Sequence, residues 1–416
     1  MSKQTFVIVG ASLAGAKAAE ELRSQGFDGR VVLLGGEAER PYERPPLTKD
    51  YLRGESERDK AYVHAAGFYA DNEIELETAT TVTAIDPAAS RVILDDGRTL
   101  EFDRLLLTTG AEPRRISVDG ADLDGVYYLR TLADCDALRE RLDAGGRVVV
   151  VGAGWIGSEF AASARQRGLE VTLVDPLALP NERIFGAEIG SFYRDVHASH
   201  GVELALGDGV EAFTGDKAVG HVRTSGGREI DCDFVVVGIG VAPRVELARD
   251  AGLDVDDGIL VDEKLQTSAP NVFAAGDVAR ASHPFYGERV RLEHWSNALN
   301  QGPAAARAML GEPTSYDRIP YFFSDQYDVG MEYSGYAPKW DEVVFRSDRD
   351  SGQFIAFWLR DKRVVAGMNV NVWDVNEHVQ TLIRSRQPID THALSDLDTP
   401  LEALAAQSAS ATEAST

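Results

Sequence analysis

The sequence predicts an α/β protein with two parallel-sheet domains of one architecture, the second inserted into the first, followed by a smaller α+β domain. Three features predict it. The first is a repeat. "FVIVGASLAG" (6–15) is an apolar strand breaking into a glycine-rich turn, continued by a helical "AKAAEELRSQG" and a second strand, "RVVLLGGE" (30–37). The same order recurs at "RVVVVGAGWIG" (147–157), "SEFAASARQRG" and "EVTLVD" (170–175). Such continuous apolar strands suit a parallel sheet buried on both faces. The second is a pair of matching ends. "RLLLTTGAEP" (104–113) and "FVVVGIGVAP" (234–243) both break into glycine and then proline, each preceded by a hairpin signal, "RVILDDGRTLEFD" or "HVRTSGGREIDCD". The third is an aromatic-rich stretch from about Arg318, where "EVVFRS", "QFIAFWLRD" and "RVVAGMNVNV" read as antiparallel strands before a last helix, "VNEHVQTLIRS".

Between these lie a helix-like "RVELARDAG", a strand ending in Gly-Asp, "NVFAAGDVA" (271–279), and an alanine-rich helix, "ALNQGPAAARAML" (298–310). The expected boundaries are 1–112 and 241–317 for the first domain, 113–240 for the inserted one and 318–403 for the C-terminal one. The small polar residues of 404–416 read as a disordered tail.

Composition removes several classes of function. The formal net charge of −25 opposes nucleic acid or an anionic membrane surface as a partner. No apolar run reaches the roughly 18 residues of a membrane span. An apolar strand begins at Phe6, leaving no room for a signal peptide, so a cytoplasmic protein is expected. Cys135 and Cys232 are far apart and form no C-x-x-C pair. Buried structural thiols are expected, not a dithiol centre or a metal site.

The glycines carry the chemistry. Gly152, Gly154 and Gly157 fit G-x-G-x-x-G between an apolar strand and a helix. One glycine permits a tight turn, one lets the backbone approach a pyrophosphate, and one lets helix and strand pack closely. The helix N-terminus then offers free N–H groups to the phosphates. Asp175 ends the next strand, where an acid accepts a ribose 2′-OH and repels a 2′-phosphate. Pro176 follows it in place of a basic residue, which favours NADH over NADPH. Arg183 downstream is either a cofactor contact or a surface arginine, and Gly240 lies in the second closing break. The first turn has Gly10, Ser12 and Gly15, with Glu37 ending the following strand. Two Rossmann-type turns imply two dinucleotides, and a tightly bound flavin beside a dissociable nicotinamide lets hydride pass between them.

With "PYERPPLTKDYL" (41–52), "YYLRTLADC" (127–135), "EHWSNALNQG" (293–302) and "PYFFSDQYD" (320–328), the chain resembles the NADH-dependent, FAD-containing ferredoxin reductases of oxygenase systems, rubredoxin reductases among them. The resemblance spans about 5–400 and implies a glutathione-reductase-like fold with an FAD domain, an NAD domain and a C-terminal interface domain. It implies FAD contacts at Ala14, Lys49, Val82, Arg130, Asp277 and Trp295, with Glu37 as ribose acid one position after the place it takes in some relatives, Gly36 here. Phe323 stands where several relatives carry Trp.

The implied activity is NADH:ferredoxin oxidoreductase. Hydride passes from NADH to flavin N5, and electrons then go singly to a ferredoxin or rubredoxin supplying a haem-thiolate monooxygenase or a Rieske oxygenase. A monomer or weak homodimer is expected, with a local Lys/Arg patch for an acidic acceptor. Lys49 would otherwise read as a solvated lysine. By resemblance it lies near N5, where a positive charge favours the reduced cofactor. Glu159, in the first turn of the second helix, reads equally as a dipole-stabilised acid. By resemblance it pairs with Lys49 and meets the nicotinamide carboxamide. Two rivals remain on the same fold: a disulfide- or peroxide-handling reductase, which needs a cysteine absent from 35–49, and an NADH-sensing flavoprotein.

Overall fold

The computed structural model describes residues 3–347 and 349–413. These fall into two compact units. The first contains the chain up to Pro46, Ser56–Glu112 and Val241–Arg318; the second contains Leu47–Glu55, Pro113–Gly240 and the chain from Ile319 on.

Both units are organised by the repeat. In the first, a five-stranded sheet runs in the order Ile74–Glu77, Arg30–Leu34, Thr5–Val9, Arg104–Leu107, Val272–Ala274, all parallel. In the second, the order Glu203–Leu206, Glu170–Asp175, Arg147–Val151, Phe234–Val237, Val126–Tyr128 is again all parallel. The copies agree bond for bond at the turn. Gly10 N–H donates to the Leu34 carbonyl and Gly152 N–H to the Val174 carbonyl, both at 2.8 Å. Each unit also carries a three-stranded antiparallel sheet with an irregularity near its start, between Val82 and Ala84 in one and Val210 and Ala212 in the other. The fully buried Val, Leu and Ile side chains of the central strands form the core of each parallel sheet.

The C-terminal strands form a third sheet, antiparallel, in the order Tyr321–Gln326, Val329–Gly335, Arg363–Val370, Phe354–Arg360, Glu342–Arg346. The predicted helix is Asn376–Ser385, but it is not the last. Helices Thr391–Ser395 and Leu401–Glu413 follow, so the segment expected to be a disordered tail is helical as far as Glu413, and 414–416 lie outside the described residues. Alanine is the strongest helix former, and Leu401, Leu404 and Ala405 are buried.

Two segments sit differently from the expected boundaries. The C-terminal sheet and the inserted domain share an aromatic core that includes Phe185, Tyr193, Phe322, Tyr333 and Trp358, which joins them in one unit. Residues 47–55, expected in the first domain, belong to the second unit, and several hydrogen bonds tie them there. Tyr51 donates its hydroxyl to Asp136 at 2.6 Å, the Ser163 hydroxyl donates to the Thr48 carbonyl at 2.6 Å, and Arg53 reaches the Ser163 hydroxyl at 3.3 Å. Among the described residues no helix is long and apolar enough to cross a membrane.

Candidate functional site

In the first unit the glycine turn is built for close packing. Gly10 has φ +119°, and a Cβ there would lie 2.1 Å from the Thr108 carbonyl oxygen; one at Gly15 would lie 2.2 Å from the Gly10 oxygen. Only glycine fits either place. Ser12 caps helix Leu13–Ser24 at φ −122° and makes no side-chain bond to it. Ala14 is buried. Helix Trp295–Met309 crosses so near that a Cβ at Gly302 would meet the Ala14 oxygen at 2.2 Å.

Of the other predicted residues in this unit, the segment before Asp277 reaches this turn. Gly276, before Asp277, donates its N–H to Gln301 Oε1 at 2.9 Å and approaches Ala14. Burial pushes the imidazole of neighbouring His294 down to about 4, opposed by the Asp277 charge. Trp295 donates its indole N–H to Glu43 at 3.2 Å, and burial raises the Glu43 carboxyl above its usual range. Val82 lies in the hydrophobic core. Glu37 accepts from the Tyr42 hydroxyl and, at 3.3 Å, from Arg44. Burial would lower the Arg44 pKa, but Tyr42, Glu37 and Asp277 outweigh it and hold the guanidinium charged. Glu37 lies in the bend after strand Arg30–Leu34 instead of ending it as expected; a glycine turn at a helix N-terminus, a cation and an acid beyond the second strand suit the phosphates and ribose of a dinucleotide.

The second turn repeats the geometry with one difference. Gly152 has φ +104°, and a Cβ there would lie 2.4 Å from the Gly238 oxygen; one at Gly157 would lie 1.8 Å from the Gly152 oxygen. Gly154 has an ordinary φ of −76°, and a Cβ there would meet nothing within 4 Å. Neither backbone nor packing asks for glycine at 154. A glycine-rich turn of this kind leaves such a position bare for a ligand. Asp175 accepts from Ala153 N–H and from Leu177 N–H, each at 2.7 Å, tying the turn to the strand end. A carboxylate offers about four lone pairs, so capacity remains for a ribose hydroxyl. Arg183 is exposed on Glu182–Phe185 and makes no hydrogen bond or ion pair among the described residues. Gly240 has φ +96° and accepts from Arg114 N–H at 2.9 Å.

Arg130 and Lys49, expected as FAD contacts, lie in the second unit. Arg130 donates its backbone N–H to Asp134 at 3.1 Å, at the start of helix Leu132–Ala144. Lys49 meets Glu159 on helix Trp155–Gln166. The Lys49 ammonium donates to Glu159 Oε2 at 2.7 Å, with side chains only 12% and 8% exposed. Oε2 also accepts from the Thr48 hydroxyl, and Oε1 accepts from the Ser324 hydroxyl at 2.7 Å. The ammonium stands 5.6 Å from the Phe323 ring centroid, within cation–π range. Glu159 is thus a paired buried acid with both oxygens hydrogen-bonded and one lone-pair site on Oε1 left over.

Thr48, Ser324 and Arg44 were not singled out by sequence. Ser324 left a trace: strand Tyr321–Gln326 buries Phe322, Ser324 and Gln326, two of them polar on an inward face. Both cysteines are free and buried, and burial pushes the Cys232 thiol up to about 12, far from a reactive thiolate at neutral pH.

A family model described as pyridine nucleotide-disulphide oxidoreductase matches residues 4–302, and one described as reductase C-terminal matches 321–405. Rhodocoxin reductase of Rhodococcus erythropolis is 37% identical over 96% of this chain and 93% of its own. The ferredoxin–NAD(+) reductase component of the anthranilate 1,2-dioxygenase system of Burkholderia cepacia is 40% identical over 89% of this chain and 92% of its own. The reductase in the crystal structure of the covalent putidaredoxin reductase–putidaredoxin complex superimposes with a TM-score of 0.94 at 36% identity, covering 98% of this chain and 99% of that one. With its duplicated glycine turns and its C-terminal sheet, the chain belongs to the pyridine nucleotide-disulphide oxidoreductase family, in the group of ferredoxin reductases of oxygenase systems.

Proposed function

We propose that the glycine turn of the first unit holds FAD, that of the second holds NADH, and that Lys49 and Glu159 serve the hydride transfer. The chain is an FAD-dependent NADH:ferredoxin reductase. FAD held in the first unit would supply the hydride acceptor and one-electron donor that link NADH to a ferredoxin or rubredoxin, which supplies a haem-thiolate monooxygenase or a Rieske oxygenase. The observation that carries this reading is the duplication: two turns of one geometry in a chain whose two cysteines are both buried.

In this reading Gly10, Ser12, Ala14 and Gly15 face the FAD pyrophosphate and Glu37 the ribose. Val82, Asp277 and Trp295 complete the site, and Arg44 adds a cation that balances phosphate charge. Gly152, Gly154 and Gly157 receive the NADH pyrophosphate, with Asp175, Arg183 and Gly240 around it. Glu159 orients the Lys49 ammonium and accepts from the nicotinamide carboxamide; Lys49 supplies the charge that favours the reduced cofactor. No side-chain nucleophile takes part, so the residues contribute orientation and electrostatics. We place the protein in the cytoplasm.

The test mixes the purified yellow protein with NADH or NADPH, a panel of ferredoxins and rubredoxins, and a haem reporter. Initial rates are expected to favour NADH and to require an iron–sulfur acceptor. Slow turnover with every such acceptor, alongside a long-lived NAD–flavin charge-transfer band, would instead identify an NADH sensor.

A further inference from the structure

The carboxylate of Glu159 has about four lone-pair sites, and three are filled by donors from two distant stretches of chain. Thr48 and Lys49 occupy Oε2, and Ser324 occupies Oε1. The three contacts are not equivalent. Lys49 brings charge on a long, flexible stem, whereas Thr48 and Ser324 bring short hydroxyls that are 6% and 1% exposed.

Both hydroxyls are themselves anchored. The Thr48 carbonyl accepts from the Ser163 hydroxyl at 2.6 Å, on the same helix as Glu159. Ser324 Oγ accepts from Gln326 Nε2 at 3.3 Å. Its one proton is committed to Glu159, so Gln326 can only donate to it. Backbone pairing also holds Ser324 opposite Met331 in the antiparallel sheet. Strand and helix therefore grip the carboxylate from either oxygen, independently of the lysine.

We infer that Ser324 and Thr48 are positioning residues for hydride transfer. They keep the Glu159 carboxylate in one orientation while the Lys49 ammonium turns to the cofactor, and they leave one lone-pair site for the incoming carboxamide N–H. A buried carboxylate that lost its only cation with no other donor would be left uncompensated; two hydroxyl donors make that excursion tolerable. The inference rests on the role given above to Glu159 and Lys49. It adds that the C-terminal sheet contributes a group to the hydride-transfer step, in addition to any part in acceptor docking.

The test compares Ser324→Ala, Ser324→Thr, Thr48→Val and Glu159→Gln. Anaerobic rapid mixing gives the limiting rate of flavin reduction by NADH, and calorimetry gives NAD+ affinity. Removing a hydrogen bond to a charged group predicts a limiting rate lower by about tenfold or more in Ser324→Ala. Weaker NAD+ binding is expected with it, and substantial recovery of both in Ser324→Thr. Thr48→Val, which acts on the other oxygen, should show the same split should Ser324→Ala fold poorly. Ser324→Ala and Thr48→Val matching the unaltered protein while Glu159→Gln is slow would overturn the positioning role and leave Glu159 standing. Failure of Ser324→Thr to recover would also overturn it, because the hydroxyl would not be what matters. An unimpaired Glu159→Gln would overturn the underlying reading instead.

Discussion

Gly157→Ala is expected to cripple NADH binding, whereas Gly154→Ala weakens it without disturbing the fold. A methyl at 157 would sit 1.8 Å from the Gly152 carbonyl oxygen, where strand, turn and helix are pinned together. The helix must move, which for overpacking in a tight interior costs about 1–3 kcal/mol. The moved part is the N-terminus proposed to meet the pyrophosphate, so the NADH KM is expected to rise by roughly 100-fold with a lower Tm. Gly154 offers open space within 4 Å and an unstrained φ. Alanine there leaves Tm unchanged and raises the KM by about tenfold, because the added methyl meets only the ligand. Steady-state kinetics with NADH beside thermal unfolding separates the two. Equal KM values for Gly154→Ala and the unaltered protein would mean that no pyrophosphate approaches this turn.

Glu159→Gln is expected to slow hydride transfer by about 10²-fold, a magnitude usual for removing one preorganised polar group at a site of developing charge. The amide preserves size but presents an N–H2 to a ring of donors from Thr48, Lys49 and Ser324. Lys49→Met is expected to slow the same step, and the double variant should be no slower than the worse single one, because the pair acts as a unit. Stability should behave differently. Truncating one partner of a buried pair to leave the other uncompensated costs about 3–5 kcal/mol, so Glu159→Ala should show a markedly lower denaturation midpoint than Glu159→Gln. Rapid-mixing absorbance at the flavin band reads the rate, and urea unfolding reads the stability. Additive losses in rate would show that the two residues act separately.

The central strands of the parallel sheets were legible because they are continuous apolar runs and because the pattern occurs twice, whereas Ile74–Glu77 and Glu203–Leu206 alternate polar and apolar residues and were not read. Both turns were legible for the same reason, down to the serine that takes an ordinary φ in the first. The pairing of Lys49 with Glu159 was legible only through the resemblance, not through any local pattern. Helix Asp50–Arg53 is only four residues long, and its position is decided by Asp136 and Ser163, which lie 85 and 110 residues further along the chain from their partners. No local pattern encodes such partners. Ser324 shows the reverse case, a buried polar residue in an inward row that advertised a polar neighbour without naming it. Glu37 was expected to end the strand but lies three residues beyond it, because Arg30–Leu34 stops before the two glycines, and its ties to Tyr42 and Arg44 are made from the bend. The helix at Leu401–Glu413 was missed because small polar residues suggested disorder, while alanine propensity and three buried apolar side chains decided otherwise.

The most direct test is an anaerobic titration of the holoprotein with NADH, followed by addition of a one-electron ferredoxin. One equivalent of NADH should bleach one equivalent of bound flavin, and the relay should then reduce two equivalents of ferredoxin per NADH consumed. Bleaching that cannot be passed to any iron–sulfur protein, or electron delivery that depends on a cysteine thiol, would contradict it.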